Sequence, residues 1–404
     1  MKLIEPILAA APALQSLRRD IHAHPELGFE EQRTADLIAR TLSDWGIPVH
    51  RGLGRTGVVG IVKNGNSARA VGLRADMDAL PVTEHNSFAH ASVHRGKMHA
   101  CGHDGHMAML LAAARHLSAQ RNFDGMVYLV FQPAEEGGGG AREMIRDGLF
   151  ERFPMEAMFG MHNWPGLPLG QFAIAPGAVF ASSNDFRILI RGRGTHAAAP
   201  HAGIDPLPAA CQMVQAFQSI IARNKSPTEA AVISVTMLHA GEAINVVPDV
   251  CELQGTVRTF SVAVLDMIEQ RMRRVAEATC QAFEAACEFT FRRNYPPTIN
   301  HPAETRFARL LLSDLVGAPN VRDFQPWMGA EDFSYFLQQT PGCYFVIGNG
   351  DGAHRSAGHG AGPCMLHNSS YDFNDELIPL GGSMWVHLAE RWLQAPPPAR
   401  GPAA

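Results

Sequence analysis

Between residues 186 and 292 the succession of elements changes, and that change constrains the fold more than any other feature of the chain. Residues 186–191 read as a strand and 207–223 as a helix. Strands follow at 231–239 and 250–259, then a helix at 264–286 and a last strand at 288–292. This β-α-β-β-α-β order is the split βαβ pattern of ferredoxin-like modules. On either side, apolar strand-like runs (58–62, 71–75, 126–131, 157–161 and 343–347) alternate with helical stretches at 107–119 and 377–393. Such alternation predicts an α/β sheet with helices on its faces. The expected architecture is therefore a discontinuous α/β domain, 1–182 with 295–404, into which an α+β domain, 183–294, is inserted. Asn294-Tyr-Pro-Pro marks the return crossing, and the Pro/Ala-rich tail 395–404 is expected to be disordered.

Composition excludes several function classes. The 404-residue chain carries a net charge of −5 and no Lys/Arg run, so nucleic-acid binding has no electrostatic support. No apolar run approaches the ~18 residues of a membrane span. Glu5, Pro6 and Pro12 interrupt any secretory core, and the first twenty residues read as an amphipathic helix instead. Seven scattered cysteines argue against a disulfide framework and for a reducing, cytoplasmic compartment.

Chemistry concentrates in four places at strand ends or helix starts, where open α/β sheets hold their ligands. Residues 99–106, His-Ala-Cys-Gly-His-Asp-Gly-His, place soft and borderline metal donors at the head of an apolar helix. Cys101 and His103 cannot share one helix face, but a turn through Gly102 lets both converge on one point. His106, three residues past His103 on the first helical turn, is open as a ligand, a supporting group or surface. Arg74-Ala-Asp76-Met-Asp78 follows a second apolar strand. Phe131-Gln-Pro-Ala-Glu135-Glu136 ends a third in adjacent carboxylates ahead of four glycines, so one can bind metal while its neighbour serves in proton transfer. His162 ends the strand 157–161, and His367 lies in a loop before the C-terminal helix.

Together these segments resemble the M20 metallopeptidase/aminoacylase family, in the amidohydrolase branch that includes hippurate hydrolases, N-acyl-amino-acid amidohydrolases and plant auxin-conjugate hydrolases. The resemblance runs from Arg18-Arg-Asp-Ile-His-Ala-His-Pro-Glu-Leu-Gly-Phe-Glu-Glu to Tyr371-Asp-Phe-Asn-Asp375. It includes Met98-His-Ala-Cys-Gly-His-Asp-Gly-His106, Gln132-Pro-Ala-Glu-Glu136 and Met161-His-Asn-Trp-Pro165. It implies a mixed-sheet, zinc-peptidase-like catalytic domain carrying an inserted lid or dimerisation domain. The implied centre holds two divalent ions (Zn, Mn, Co or Ni) on Cys101, His103, Glu136, His162 and His367, with Glu135 as general acid/base. His196, in Gly194-Thr-His-Ala-Ala-Ala-Pro200, matches the lid histidine that completes the site, in many members from a neighbouring subunit. Asn245 and Arg258 match substrate-holding lid positions, and Gly329-Ala-Glu-Asp-Phe a segment near the site. The wider family's His-x-Asp metal motif is here Asp76-Met-Asp78. Asp78 is therefore read as an orienting carboxylate, and Asp76 is not assumed to be a ligand. The implied activity is hydrolysis of N-acyl (acetyl, benzoyl or other aryl-acyl) amino acids by a homodimer or higher homo-oligomer. A carboxypeptidase or dipeptidase with the same site is the alternative. A non-catalytic binding protein would leave Glu135 no reason to be a carboxylate.

Overall fold

The computed structural model describes residues 1–396; residues 397–404, where disorder is expected, lie outside the described residues. The chain divides into two compact units. One comprises Met1–Val179, Ile299–Gln325 and Asp332–Ala404, the other Phe180–Thr298 and Pro326–Glu331. The strand and helix pattern gave no sign that 326–331 belongs with the second unit.

The first unit opens with α1 (Glu5–Ala23), α2 (Gln32–Asp44), β1 (Val49–Leu53), β2 (Gly57–Asn64) and β3 (Ala70–Asp76). There follow α3 (His103–Gln120), β4 (Gly125–Gln132), β5 (Ala157–Pro165) and β6 (Phe172–Ile174). Its eight-stranded mixed sheet has the order β1-β2-β4-β3-β5, then Gly342–Gly350, β6 and Val321–Asp323. Every residue of β3 is buried, as expected of a parallel strand covered on both faces. Helix α3 is buried continuously from His103 to Ala114, packed between α1, the C-terminal helix Leu377–Gln394 and β3. An apolar surface on all sides requires that internal position.

From β3 the chain passes through α3 to β4 on one side of it, and later places β5 on the other. Both neighbours run parallel to β3, with Asp76 opposite Gln132 and Arg74 opposite Gly160. The carboxyl ends of three strands therefore lie level at a topological switch point, the crevice where such sheets bind ligands. Two boundaries differ from expectation. Helix α3 begins at His103 rather than 107, after Gly102 in a left-handed conformation. Strand β5 runs on to Pro165, because His162 to Trp164 still pair with Val346 to Gly348, so His162 lies within a strand.

In the second unit the strands Ser183–Arg191, Ala231–Ala240, Val250–Thr259 and Ala286–Tyr295 form an antiparallel sheet. Numbered in chain order they stand 2-3-1-4, with helices Pro206–Arg223 and Val262–Ala282 making the crossovers, which is the ferredoxin-like topology. Phe186, Ile188 and Ile190 alternate inward with Leu253, Val257, Phe217 and Ile268 to form a separate core. The second helix stops at Ala282 instead of 286. Glu284 adopts φ +57°, and the Ala285 amide donates to Cys280 O at 2.9 Å, a Schellman stop that frees 286 to start the strand.

Candidate metal centre and active site

The switch-point crevice gathers all five of the metal ligands implied by the sequence. Cys101 sits just ahead of α3, held by the turn at Gly102 (φ +87°). A Cβ there would meet Asn163 Nδ2 and the Tyr371 hydroxyl at 2.4 Å, so only glycine fits. Cys101 Sγ lies 3.3 Å from His162 Nε2 on β5. His367, itself at φ +62° and pinned by its amide to Ala100 O (2.8 Å), places Nε2 3.1 Å from Glu136 Oε1. Cys101, His103 and His162 converge with donor atoms within 4.8 Å of one another, and so do Cys101, Glu136 and His367. These two donor sets share the Cys101 sulfur.

Hydrogen bonds separate ligand-like imidazoles from structural ones. His103 Nδ1 donates to Asp78 O at 2.8 Å, while its Nε2, 3.6 Å from Asp76 Oδ2, is buried without a hydrogen-bond partner among the described residues. His162 Nδ1 donates to Asn163 O at 2.6 Å, which turns the Nε2 lone pair toward Cys101. An imidazole tied through one nitrogen to a carbonyl is oriented for metal through the other. His106 is different. Its Nδ1 bonds Asp76 Oδ1 at 2.6 Å and its Nε2 accepts the Asn163 amide at 3.0 Å, so neither nitrogen is available. Asp76 is likewise occupied by His106 and by Arg74 Nη1 at 2.7 Å. The residues present thus fit a cation-binding centre, with Asp76 and His106 supporting it.

Electrostatics point the same way. Burial, then the charges of Glu136, Glu135 and Asp76, push the Cys101 thiol well above its usual range. Burial pulls the His103 imidazole down, but Asp76 and Asp78 outweigh it and hold it at about 10. Burial, then His106, keeps His162 neutral, well below the usual imidazole range. The carboxylates therefore favour a positive charge at this point, whether proton or metal ion.

Asp78, 1% exposed, is the organiser beneath the site. Its carboxylate accepts the amides of Glu135 (2.9 Å) and Glu136 (2.8 Å), and its carbonyl accepts His103. Glu135 is buried beside the donor set and accepts the Asp332 amide at 3.4 Å. Sequence reasoning assigned no role to Asn163, Gln132 or Glu31. Asn163 Nδ2 holds Cys101 O at 2.7 Å, Gln132 joins Arg74 to Asp332, and Glu31 accepts the Ala134 amide at 2.8 Å. Gln132 and Asn163 stand in the quoted motifs, but only the fold supplies their partners.

The remaining three candidates lie in the second unit. His196 is exposed on the short strand Thr195–His196, opposite Val246, and the Ala197 amide donates to Asn245 O at 2.9 Å, so these two are neighbours. Arg258 stands apart on Val250–Thr259, opposite Val232, half-buried, with burial lowering its pKa.

The description "Peptidase family M20/M25/M40" matches residues 72–391. A hippurate hydrolase of Campylobacter jejuni is 39% identical over 98% of this chain and 100% of its own length. Thermostable carboxypeptidase 1 of Saccharolobus solfataricus is 38% identical over 93% of this chain and 94% of its own. The crystal structure of a dinuclear metal-binding M20 peptidase from Bacillus subtilis superposes with a TM-score of 0.82 at 31% identity, covering 96% and 99% of the two chains. A centre of this composition at the switch point, in a chain similar to these proteins from end to end, identifies a hydrolytic enzyme of the M20/M25/M40 peptidase family, in its amidohydrolase branch.

Proposed function

We propose that this enzyme hydrolyses the amide bond of N-acyl amino acids, with Cys101, His103, Glu136, His162 and His367 holding two divalent ions. The observation that carries the reading is the pair of donor sets sharing Cys101, with Glu135 buried beside them. Two ions bound there would polarise the scissile carbonyl and acidify the attacking water. Glu135 takes the proton from that water and returns it to the leaving amine nitrogen. His196 is assigned to the developing oxyanion, with Asn245 and Arg258 at the far end of the substrate. Residues 183–294 are assigned as the lid and dimerisation domain. The similarity to hippurate hydrolase favours an acylated substrate, and that to a carboxypeptidase supports unblocked peptides as the second reading.

A panel of acetyl, benzoyl and indolylacetyl amino acids beside dipeptides separates the two. Turnover confined to dipeptides overturns the first. Glu135→Gln should keep its metals and lose nearly all turnover, and near-wild-type activity would remove Glu135 from its role. Metal analysis should give two ions per chain. Mixing His196→Ala with Glu135→Gln subunits should restore activity if His196 acts across a dimer. No rescue after proven subunit exchange would count against a role for His196 across the dimer.

A further inference from the structure

The segment Arg18 to Glu31 carried part of the family resemblance without any part in the reaction. Its last residue, Glu31, immediately precedes α2 and is fully buried. Its side chain does not cap α2: Oε1 accepts the Ala134 amide at 2.8 Å, and Oε2 accepts the Thr56 hydroxyl at 2.7 Å. Ala134 is the residue on which the chain turns from β4 toward Glu135 and Glu136, and it does so at φ +50°, where a non-glycine residue rarely sits. Its surroundings are shaped for that conformation. A Cβ on Gly138 would lie 2.6 Å from the Ala134 Cβ, and the Gly140 amide closes the turn onto Ala134 O at 3.1 Å.

Three consecutive amides, Ala134, Glu135 and Glu136, therefore end on two buried carboxylates, one oxygen of Glu31 and both of Asp78. A strained turn persists only where its surroundings over-determine it. Here the outcome of the turn is the direction of two adjacent side chains, one placed for proton transfer and one among the metal donors. A tilt of the Ala134 peptide would carry both with it.

We infer that Glu31 is a positioning residue of the active site: through the Ala134 amide it sets the turn that aims Glu135 and Glu136. The inference rests on the dinuclear reading above. It requires reach rather than charge at this position, and two conservative variants separate these. Glu31→Gln keeps an acceptor oxygen at the same distance, and its amide group can donate to Thr56, whose hydroxyl accepts as readily as it donates. Glu31→Asp keeps the charge but is one methylene too short to span both bonds. The variants are compared by circular dichroism for fold, by competition of Zn(II) against a chelator for metal affinity, and by kcat and KM on the panel substrate that the wild type cleaves.

Glu31→Asp should weaken zinc binding and lower kcat, each by about 10–100-fold, the usual cost of disturbing the groups that orient metal ligands. Its KM should stay within about threefold, because no substrate contact is lost. Glu31→Gln should remain within about threefold of the wild type in affinity and kcat, as expected when the same hydrogen bond is kept. Equal zinc affinities for Glu31→Asp and Glu31→Gln, or a weaker Glu31→Gln, would overturn the inference. A wild-type chain that takes up none of Zn(II), Mn(II), Co(II) and Ni(II) refutes the dinuclear reading and this inference together. Zinc uptake with indistinguishable variants refutes the inference alone.

Discussion

Replacing Asp78 by Asn tests how much of the active site depends on one carboxylate. The main-chain carbonyl that orients His103 is untouched, since only the side chain changes. Of the two side-chain bonds, one survives on the remaining oxygen, weakened from charged to neutral. At the other, an NH2 group replaces the acceptor and faces the amide of Glu135 or Glu136, which it cannot serve. Two hydrogen bonds to a charged group contribute about 3–6 kcal/mol together, and one neutral bond about 0.5–1.5 kcal/mol. The gross loss is thus about 2–5 kcal/mol. Against it stands the relief of a like-charge contact: burial, then the charge of Asp78, pushes the Glu31 carboxyl up to about 7. We expect a net loss of about 2–3 kcal/mol in the turn bearing Glu135 and Glu136. Expressed wholly in transition-state placement, that is on the order of 30–150-fold in kcat/KM. Steady-state kinetics on the metal-loaded variant, with metal content measured in parallel, reads the effect. Kinetics within threefold of the wild type at full metal content would refute the view that this carboxylate positions the pair.

Three further outcomes follow from the same geometry. Metal loading near pH 7 should release protons from Cys101 and His103, because burial and the neighbouring carboxylates keep the thiol protonated and the imidazole charged without a cation. Titration calorimetry in buffers of different ionisation enthalpy measures this, and a buffer-independent heat would contradict it. Burial opposes the charge on His22, but Asp104 and Glu84 outweigh it and raise its pKa from 6.5 to about 10. Its stabilisation is therefore complete below about pH 6.5 and lost as pH rises through about 10. Urea unfolding should show wild-type stability falling across that window more steeply than that of His22→Gln, and parallel profiles would count against the pair. Gly102→Ala should cost about 2–3 kcal/mol in urea unfolding, from a left-handed alanine plus displacement of the 2.7 Å Tyr371–Asn163 bond. A loss under about 0.5 kcal/mol would mean that the turn relaxes freely.

The readable and unreadable parts of this chain differ in physical kind. β3 and β4 announced themselves because strands buried on both faces must be apolar throughout. Cys101 and His103 stood out because borderline ligands rarely crowd the head of an apolar helix. Spacing alone could not rank His103 above His106, since both lie on the first turn of α3. The distinction rests on which ring nitrogen finds a protein partner, and those partners are Asp78, Asp76 and Asn163 on other strands and loops. Glu31 was hidden for the same reason. In a Glu-Glu pair ahead of a helix it reads as a favourable charge at the helix N-terminus, yet its side chain serves a turn 103 residues away. The end of the helix Val262–Ala282 was missed because apolar periodicity continues beyond the left-handed Glu284.

Buried negative charge gathers around the turn before Glu135. Glu31, Asp76, Asp78 and Glu135 are all buried, and Arg74 is the buried arginine among them, bonded to Asp76 and Asp332. Burying like charges together is unfavourable unless something positive completes the set. The thiol that stays protonated and the imidazole that stays charged are the local response to that surplus. A divalent ion is the stronger answer, because it displaces both protons and satisfies the Nε2 of His103, which has no hydrogen-bond partner among the described residues. The same negative charge that strains the metal-free chain therefore becomes binding energy for the metals. Asp78, whose carboxylate holds the amides of Glu135 and Glu136, adds to that attraction from behind the turn, while Glu31 acts there through reach.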